Sequence, residues 1–289
     1  MKSTNLSSEE QEQWTEIIEP GKNLFALDLA SVWRYRDLLM LFVKRDFIST
    51  YKQTILGPLW FFIAPIFTTI TFTIIFGRVA QISTEGIPPV LFYMSGIIGW
   101  NYFSTCLTNT STTFRDNAGI FGKVYFPRLI IPLSTIITNL IKFSIQFLMF
   151  IGFWLFFIYK DASITPNSYI LLTPLLIVLM AGLGLGFGMI ISSFTTKYKD
   201  LVFLLQFGVQ LLMYATPIIY PLSTIPEKYK WIIIANPMTS VIETFRYAFL
   251  GSGTFNLSHL IYSLGFMIIL LFLGIVIFNK TEKTFIDTV

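Results

Sequence analysis

The sequence predicts an all-α integral membrane protein with six transmembrane helices, an N-terminal amphipathic interfacial helix and an external re-entrant helical hairpin between spans five and six. Of its 289 residues, 54% are hydrophobic and only 12% are charged, which is too apolar for a soluble chain of this length. Several apolar runs approach or exceed the roughly 20 residues that a helix needs to cross a bilayer. One further apolar region, from Asp200 to Gly251, is interrupted by prolines and is not explained by simple crossings.

Residues 1–54 are expected to form a cytoplasmic tail followed by an amphipathic helix from Ala30 to Gln53. At 100° per residue, most charged side chains of this segment fall in one arc and apolar ones fall opposite, as in a helix that lies on a membrane surface. Arg36 and Asp46 depart from this pattern. A solvated helix that packs on a protein partner is the alternative. The charged arc comprises Arg34, Asp37, Lys44, Arg45 and Lys52, and the apolar arc Val32, Tyr35, Leu39, Phe42 and Val43.

Residues 55–279 are expected to hold the six spans, and residues 280–289 form a second cytoplasmic tail. The predicted spans run from about Leu59 to Phe76, Val90 to Thr113, Leu129 to Tyr159, Tyr169 to Phe194, Leu201 to Tyr220 and Leu260 to Phe278. The second span is polar toward its end, where Asn and hydroxyl residues hold helices together or face a wet cavity. In the fourth span, Gly182, Gly184, Gly186 and Gly188 form two small-xxx-small pairs, which predict close helix packing. Lys142 in the third span is interpreted as a residue that reaches toward the membrane surface.

The re-entrant hairpin is predicted where the apolar run stops at Thr216 to Pro221 and resumes from Trp231 to Leu250. The pieces after the break are too short to cross a bilayer, and such backbone needs protein or water around it, because lipid cannot satisfy free N–H and C=O groups. Glu243 and Arg246 lie three positions apart, hence on one helix face, in this apolar setting. We interpret them as a structural lock rather than a substrate contact. The hairpin's candidate residues are Pro217, Pro221, Asn236, Pro237, Glu243 and Arg246.

Basic residues indicate the orientation. Most of the 20 Lys and Arg residues fall in the N-terminal segment, the loops after spans two and four, and the C-terminal tail. The positive-inside rule therefore predicts that both termini are cytoplasmic and that the hairpin opens to the outside.

Enzymatic and metal-dependent functions lack the residues that they need. The chain has a single cysteine, Cys106, and a single histidine, His259, which excludes an intramolecular disulfide and His-cluster metal sites. The segment from Gly119 to Lys123 has too few residues between its glycines for a phosphate-binding loop. We therefore predict no catalytic, cofactor-binding or metal residues, no nucleic-acid partner, and a transport subunit that a separate protein drives.

Several segments resemble the membrane subunits of ABC-2-type exporters, in particular the permeases for polysaccharide, O-antigen and teichoic acid. The resemblance extends from about Arg36 to Lys283 and depends on the order and spacing of short motifs. They are Arg36-Asp37-Leu38, Tyr51 to Trp60, Lys123 to Arg128 with Pro132-Leu133-Ser134, Lys199-Asp200, Thr216 to Pro221, Asn236-Pro237-Met238 and Phe245-Arg246-Tyr247.

The resemblance implies a homodimer in the bacterial cytoplasmic (inner) membrane, docked on cytoplasmic ATPase subunits that carry ATP and Mg, and exporting a glycan linked to undecaprenyl diphosphate. Teichoic acid, a small lipid or a drug is an alternative cargo, and a membrane-embedded enzyme of lipid-glycan assembly is an alternative function. The resemblance assigns ATPase contacts to the amphipathic helix and to the loops after spans two and four. Those residues are Arg34, Arg36, Lys44, Arg45, Lys52, Arg115, Lys123, Arg128, Lys197 and Lys199.

Aromatic rings are candidates for the glycan path, because a ring and a sugar face are both flat and partly apolar. Aromatic residues make up 17% of the chain, so most of them must have other roles, such as the interfacial belt. The candidates are Trp60, Phe61, Trp100, Tyr102, Phe103, Phe143, Phe147 and Trp154.

Overall fold

The structure is a computed structural model, and it describes residues 29–52, 54–121, 123–124, 126–160 and 164–285. The predicted N-terminal tail up to residue 28 and the last four residues lie outside the described residues. All regular elements in the described ranges are helical, so the all-α prediction is confirmed. The helices are α1 (Leu29–Arg34), α2 (Arg36–Tyr51), α3 (Trp60–Phe72), α4 (Pro89–Thr110), α5 (Thr113–Asp116), α6 (Ala118–Phe121), α7 (Ile130–Tyr159), α8 (Thr173–Thr195), α9 (Leu201–Tyr214), α10 (Glu227–Ala235), α11 (Pro237–Leu250) and α12 (Leu257–Phe285).

Four helical segments of the described chain are long and apolar enough to cross a membrane. They are Gly57–Val79, Ile130–Tyr159, Ser168–Thr195 and Leu257–Glu282. The first combines a 3-10 turn, α3 and a π-helical stretch from Thr73 to Val79. The more polar α4 has 22 residues, whereas α9 has 14 and ends at Tyr214, six positions before the predicted end of span five. The chain turns there because Pro217 and Pro221 cannot continue a helix without losing its hydrogen bonds.

Contacts between loops define two opposite ends of the bundle. At one end, Thr195 Oγ1 donates to the Ser111 carbonyl at 2.8 Å, and Arg128 Nη1 donates to the Glu282 carbonyl at 2.6 Å. At the other end, the Gly253 N–H donates to Glu85 at 3.0 Å. We call them the basic end (residues 29–52, 111–121, 123–124, 126–129, 196–200 and the end of α12) and the hairpin end (residues 80–88, the start of α4, 164–167, 215–236, α11 and 251–256).

Helix α8 lies at the centre of the bundle, between α4 and α12, and its glycines explain how closely these helices approach. A Cβ on Gly184 would lie 2.7 Å from the Cys106 Cβ of α4, and a Cβ on Gly186 would lie 2.9 Å from Leu270 Cγ of α12. Gly188 faces Thr110 of α4, and Gly182 faces Met267 of α12. Each small-xxx-small pair therefore serves a different neighbouring helix, as the sequence spacing predicts.

The N-terminal helices have the two faces that the sequence predicts. The chain turns at Tyr35, where φ is −93° and ψ is 22°, so the predicted single helix is divided into α1 and α2. Leu39, Phe42 and Val43 are buried against the loop after α4 and the start of α7, including Phe126 and Ile130. The main apolar face of α2 is therefore covered by its own chain, while Met40 and Leu41 stay exposed on another side.

Candidate functional site

Arg246 and Glu243 lie in the most buried part of the hairpin end. Their side chains are 0% and 1% exposed, and Arg246 Nη1 lies 3.4 Å from Glu243 Oε1. Arg246 also donates to the carbonyls of Pro217 and Ile218, the latter at 2.7 Å, and its guanidinium lies 3.8 Å from the centre of the Phe92 ring. A buried charge is tolerated only when it is paired and hydrogen-bonded; Nη1 and Nη2 meet both conditions, whereas Nε makes no hydrogen bond with the described residues.

This arrangement fixes the loop between α9 and α10 against α4. Arg246 belongs to α11, the two carbonyls belong to the turn at residues 216–221, and Phe92 belongs to α4. Gly96 of α4 leaves the space, because a Cβ there would lie 2.9 Å from Arg246 Nη2. The two residues that the sequence singles out therefore join three segments of the hairpin end.

Glu243 and Glu85 connect the remaining loops of the hairpin end. Glu243 Oε2 accepts the N–H of Thr254 at 3.1 Å, and Glu85 accepts from the Ser223 hydroxyl and from Gly253. Glu85 was not predicted from the sequence as a site residue. An acidic side chain in a short loop carries no pattern that distinguishes a hydrogen-bonded contact between loops from a solvated charge.

Helix α11 ends inside the protein, and three of its last four carbonyls accept hydrogen bonds from other segments. Asn167 donates through Nδ2 to the Tyr247 carbonyl at 2.8 Å and through its backbone N–H to Ala248 at 3.1 Å. Trp154 Nε1 donates to the Phe249 carbonyl at 2.7 Å. Gly251 ends the helix in the left-handed conformation, with φ of 72°, which glycine adopts without steric cost. Hydrogen bonds from Asn167 and Trp154 therefore hold the buried end of α11 in place.

Asn236 begins α11 and ties it to the preceding turn. Its side-chain oxygen accepts the N–H of Met238 at 3.0 Å, and its Nδ2 donates to Thr216 Oγ1 at 2.8 Å. Pro237 follows at the first helical position, where its missing N–H costs nothing. The Asn-Pro pair is therefore a helix start, and Pro217 and Pro221 are buried in the turn that it contacts.

Nine of the ten residues that the resemblance assigns to ATPase contact are exposed, and they all belong to the basic end. Arg115 forms an ion pair with Asp116 at 2.9 Å, and Arg45 forms one with Asp46 at 2.8 Å. Surface pairs of this kind are worth little to stability, so these side chains remain available to a partner. The nine are Arg34, Arg36, Lys44, Arg45, Lys52, Arg115, Lys123, Lys197 and Lys199.

Arg128 is the exception, because it is only 7% exposed. It donates to the Glu282 carbonyl, lies 3.8 Å from the Glu282 carboxylate and covers the Phe121 ring at 5.2 Å. Arg128 therefore connects the loop after α6 to the end of α12. Its partner is 154 positions away in the sequence, so no local pattern indicated this contact.

Most of the aromatic candidates lie inside the protein. Phe61, Trp100, Tyr102, Phe103 and Phe143 are buried, and Phe147 and Trp154 are partly buried. Tyr102 contacts Phe143, and Phe147 contacts Phe249. Only Trp60 is widely exposed, at 49%. These rings chiefly contact each other, and they pack α4, α7 and α11 together.

The accessible face of α4 carries hydroxyl and amide side chains instead of aromatic rings, and we call this face the polar stripe. These side chains recur every three or four positions, so they share one face of the helix. Thr105 and Asn109 are exposed, and the other three are partly exposed. The hydroxyls donate to carbonyls one turn earlier, as Thr105 does to Asn101 at 2.6 Å. The stripe consists of Asn101, Ser104, Thr105, Thr108 and Asn109.

Two helices next to α4 have large apolar faces that nothing in the described chain covers. On α3, Phe67 is 65% exposed, and on α9, Phe203 is 74% exposed. Both helices also expose polar side chains, Thr68 and Thr71 on α3 and Gln206 and Gln210 on α9. An apolar bundle with one accessible polar stripe and two open helices is suited to forming a path between subunits.

Sequence comparisons place the chain in a known family. The sequence model described as ABC-2 type transporter matches residues 37–250. The O-antigen export system permease protein RfbA of Klebsiella pneumoniae is 32% identical over 253 residues, which cover 87% of this chain and 94% of that protein. RfbA of Myxococcus xanthus is 26% identical over 89% of this chain and 97% of its own length. The polysialic acid transport protein KpsM of Escherichia coli is 27% identical over 84% of this chain and 93% of its own length.

The family match begins in α2 and ends at the last residue of α11, so it includes both the N-terminal helix and the buried hairpin lock. The resemblance that the short motifs indicated is thereby confirmed, and the chain belongs to the ABC-2 type transporter family.

Proposed function

We propose that this chain is the membrane-spanning permease of an ATP-driven exporter of polysaccharide. The observation that carries the proposal is its similarity, along nearly the whole length of each, to permeases named for O-antigen export and for polysialic acid transport. We further propose that the polysaccharide is carried on undecaprenyl diphosphate, and that ATP and Mg bind to a separate ATPase subunit. The protein acts in the bacterial cytoplasmic (inner) membrane.

The proposed translocating unit is a homodimer of six-span subunits. In this arrangement α4 and α9 join the four long apolar segments as spans, and α10 and α11 dip into the membrane from outside. The exposed polar side chains of α3 (Thr68, Thr71) and α9 (Gln206, Gln210) support the dimer, because a second copy would remove them from lipid. Between two copies, the polar stripe of α4 would line a wet path, which polar side chains at membrane depth require.

A polysaccharide passing along this path would meet hydroxyl and amide groups on α4 and the exposed ring of Trp60. Sugars form hydrogen bonds with hydroxyl and amide groups, and their flat faces stack on aromatic rings. The buried aromatic candidates support the path from behind by packing α4 against α7. This division of roles favours a hydrated, long-chain cargo over a small apolar drug, for which an apolar pocket would be expected.

The basic end is the proposed ATPase docking surface, and both termini lie with it in the cytoplasm. Exposed Arg115 and Lys123 belong to the short loop that contains α5 and α6, and α2 packs against the same loop. A push on this loop would move α2 and the start of α7 together, since Phe121, Phe126 and Ile130 form one cluster with α2. Such a rigid element is what mechanical coupling between subunits requires.

The experiment is to purify the chain with the ATPase encoded beside it and to measure ATP hydrolysis in lipid with and without undecaprenyl-diphosphate-linked polysaccharide. We expect stable co-purification and hydrolysis that the polysaccharide stimulates. Arg115→Ala with Lys123→Ala should weaken the complex, whereas Lys228→Ala at the hairpin end should not. Failure of any ATPase to associate would refute the proposal, and stimulation by small amphiphiles alone would refute the polysaccharide assignment.

A further inference from the structure

A polar cleft of about 450 Å³ enters the protein from the basic end, beneath the start of α3. Helix α2 forms one wall, the end of α4 with α5 and α6 forms the second, and α7 forms the third. Its polar lining residues include Ser49, Thr50, Asn109, Thr113, Asn117, Thr135, Thr138 and Asn139, together with the charged residues Arg45, Asp46, Asp116 and Lys142.

The cleft follows the first part of α7. Its lining on that helix extends from Ile131 to Lys142, which is about 16 Å at 1.5 Å per residue. Helix α7 has 30 residues and is about 45 Å long, whereas the hydrocarbon core is about 30 Å thick. The cleft therefore lines the end of α7 that approaches the membrane surface at the basic end, where a polar headgroup can enter it.

The charges of the cleft leave Lys142 without a direct ion pair, although Asp46 interacts with it electrostatically. Asp46 is paired with Arg45 at 2.8 Å, and Asp116 is paired with Arg115 at 2.9 Å. Lys142 makes no ion pair within 4.0 Å in the described part of the chain, and its nearest aromatic contact is the Phe61 ring at 6.0 Å. The cleft therefore presents a partly buried ammonium group that can accept a negatively charged ligand.

Two neutral groups beside Lys142 lack a strong hydrogen-bond partner among the described residues. Thr138 Oγ1 and Asn139 Nδ2 make no hydrogen bond of ordinary geometry, although these residues are only 3% and 2% exposed. The Asn139 side chain also interacts with the Cys106 thiol, which is a weak acceptor. The other end of the Asn139 amide accepts from Asn109 Nδ2 at 3.5 Å. Buried polar atoms are nearly always satisfied, so two adjacent exceptions that line one cavity indicate a missing partner. That partner has to accept hydrogen bonds from an amide, a hydroxyl and an ammonium group.

We propose that this cleft binds a phosphate or diphosphate group that is carried by a lipid. Phosphate oxygens accept hydrogen bonds from all three donors, and their charge complements Lys142. The apolar chain has a surface to follow, since Ile141, Leu148 and Leu155 recur every seven positions on α7 and are all exposed. They extend from beside Lys142 toward the hairpin end. The lipid assignment rests on the proposed function; the phosphate site itself rests on the cleft.

The test measures binding to the complex of the full chain with its ATPase, in detergent, by native mass spectrometry and by thermal shift. Three probes separate the sources of the ligand: undecaprenyl diphosphate, undecaprenol with the same tail but no phosphate, and inorganic diphosphate. The variants are Lys142→Gln, Asn139→Leu and the conservative Lys142→Arg. Lys228→Gln is the matched control, because it removes an exposed lysine that lies outside both the cleft and the proposed docking surface.

We expect undecaprenyl diphosphate to bind most tightly and undecaprenol least. Lys142→Gln should weaken binding of undecaprenyl diphosphate by about tenfold or more, which is what the loss of one charge-assisted hydrogen bond produces. Asn139→Leu should also weaken it with little change in the melting temperature of the unliganded protein, because it removes a buried amide N–H that has no partner, and Asn109, which loses a long hydrogen bond, is exposed and can bond to water instead. Lys142→Arg and Lys228→Gln should retain binding.

Equal binding by Lys142→Gln, Asn139→Leu and the wild type would overturn the site. If undecaprenol bound as tightly as undecaprenyl diphosphate, the phosphate assignment would be overturned. If inorganic diphosphate bound as tightly as undecaprenyl diphosphate, the lipid assignment would be overturned. These results are separable from the proposed function. Polysaccharide-stimulated hydrolysis that is unaffected by Lys142→Gln would refute the site alone, whereas Lys142-dependent lipid binding without any polysaccharide export would refute the function alone.

Discussion

Replacement of Arg246 by methionine tests whether the buried pair of Arg246 and Glu243 holds the hairpin end of the protein together. Methionine has a similar length and no charge, so it keeps much of the packing and removes every polar contact. The change leaves Glu243 buried at 1% exposure with only the donors of Thr254, and it leaves the carbonyls of Pro217 and Ile218 without this donor.

Removal of one partner from a buried ion pair destabilises a protein by about 3–5 kcal/mol. Each orphaned carbonyl contributes about 1–3 kcal/mol, and the desolvated contact with the Phe92 ring contributes about 2 kcal/mol. These terms overlap, because one side chain makes all of the contacts. We therefore expect Arg246→Met to lower the free energy of unfolding by about 3–5 kcal/mol.

The matched comparison is the double variant of Arg246→Met with Glu243→Gln. Glutamine still accepts from Thr254 but carries no charge, so the double variant should recover about 1–3 kcal/mol relative to Arg246→Met alone. Unfolding in mixed micelles can be followed by the fluorescence of the chain's 6 tryptophans. If the losses of unfolding free energy caused by Arg246→Met and by Glu243→Gln simply added in the double variant, the reasoning that the two charges stabilise one another would be refuted.

Three further changes test other parts of the structure. Gly184→Ala should destabilise the protein by about 1–3 kcal/mol through overpacking against α4, whereas Gly208→Ala, which has open space around it, should not; equal melting temperatures would contradict this. Asn167→Leu should reduce stability by about 1 kcal/mol or more, because the Tyr247 carbonyl keeps only the Gly251 N–H and the Tyr169 N–H loses its side-chain acceptor, and amide exchange in α11 should rise. Arg128→Ala should lower the melting temperature of the chain purified without its ATPase, which a residue confined to docking would not do.

Features with a local period were predictable from the sequence. Two-sided α2, the glycine pairs of α8 and the shared face of Glu243 and Arg246 all follow from helical spacing, and the structure contains each of them. The boundary of α9 was less predictable, because the apolar run continues past Tyr214 although the chain turns there. Composition does not distinguish an apolar turn that is buried by protein from the end of a membrane span.

The roles of the aromatic residues were not predictable for a physical reason. A membrane helix can be apolar on every side, so its pattern does not tell which face meets lipid, protein or a path. Trp100 and Tyr102 are buried against other helices, whereas the exposed face of α4 carries Thr105 and Asn109. The polarity at the end of the second span was therefore a better indicator of an accessible face than the rings. The unpaired atoms of Thr138 and Asn139 depend on tertiary contacts and have no sequence signature.

The most direct test of the account is transport itself, measured in inverted membrane vesicles that contain the chain, its ATPase and undecaprenyl-diphosphate-linked polysaccharide on the outer surface. The account predicts that ATP moves the polysaccharide into the lumen, where a glycan-degrading enzyme added outside cannot reach it, and that vesicles without the chain do not show this protection. Full ATP hydrolysis by the assembled complex with no protected polysaccharide would contradict the claim that this chain is a polysaccharide export permease.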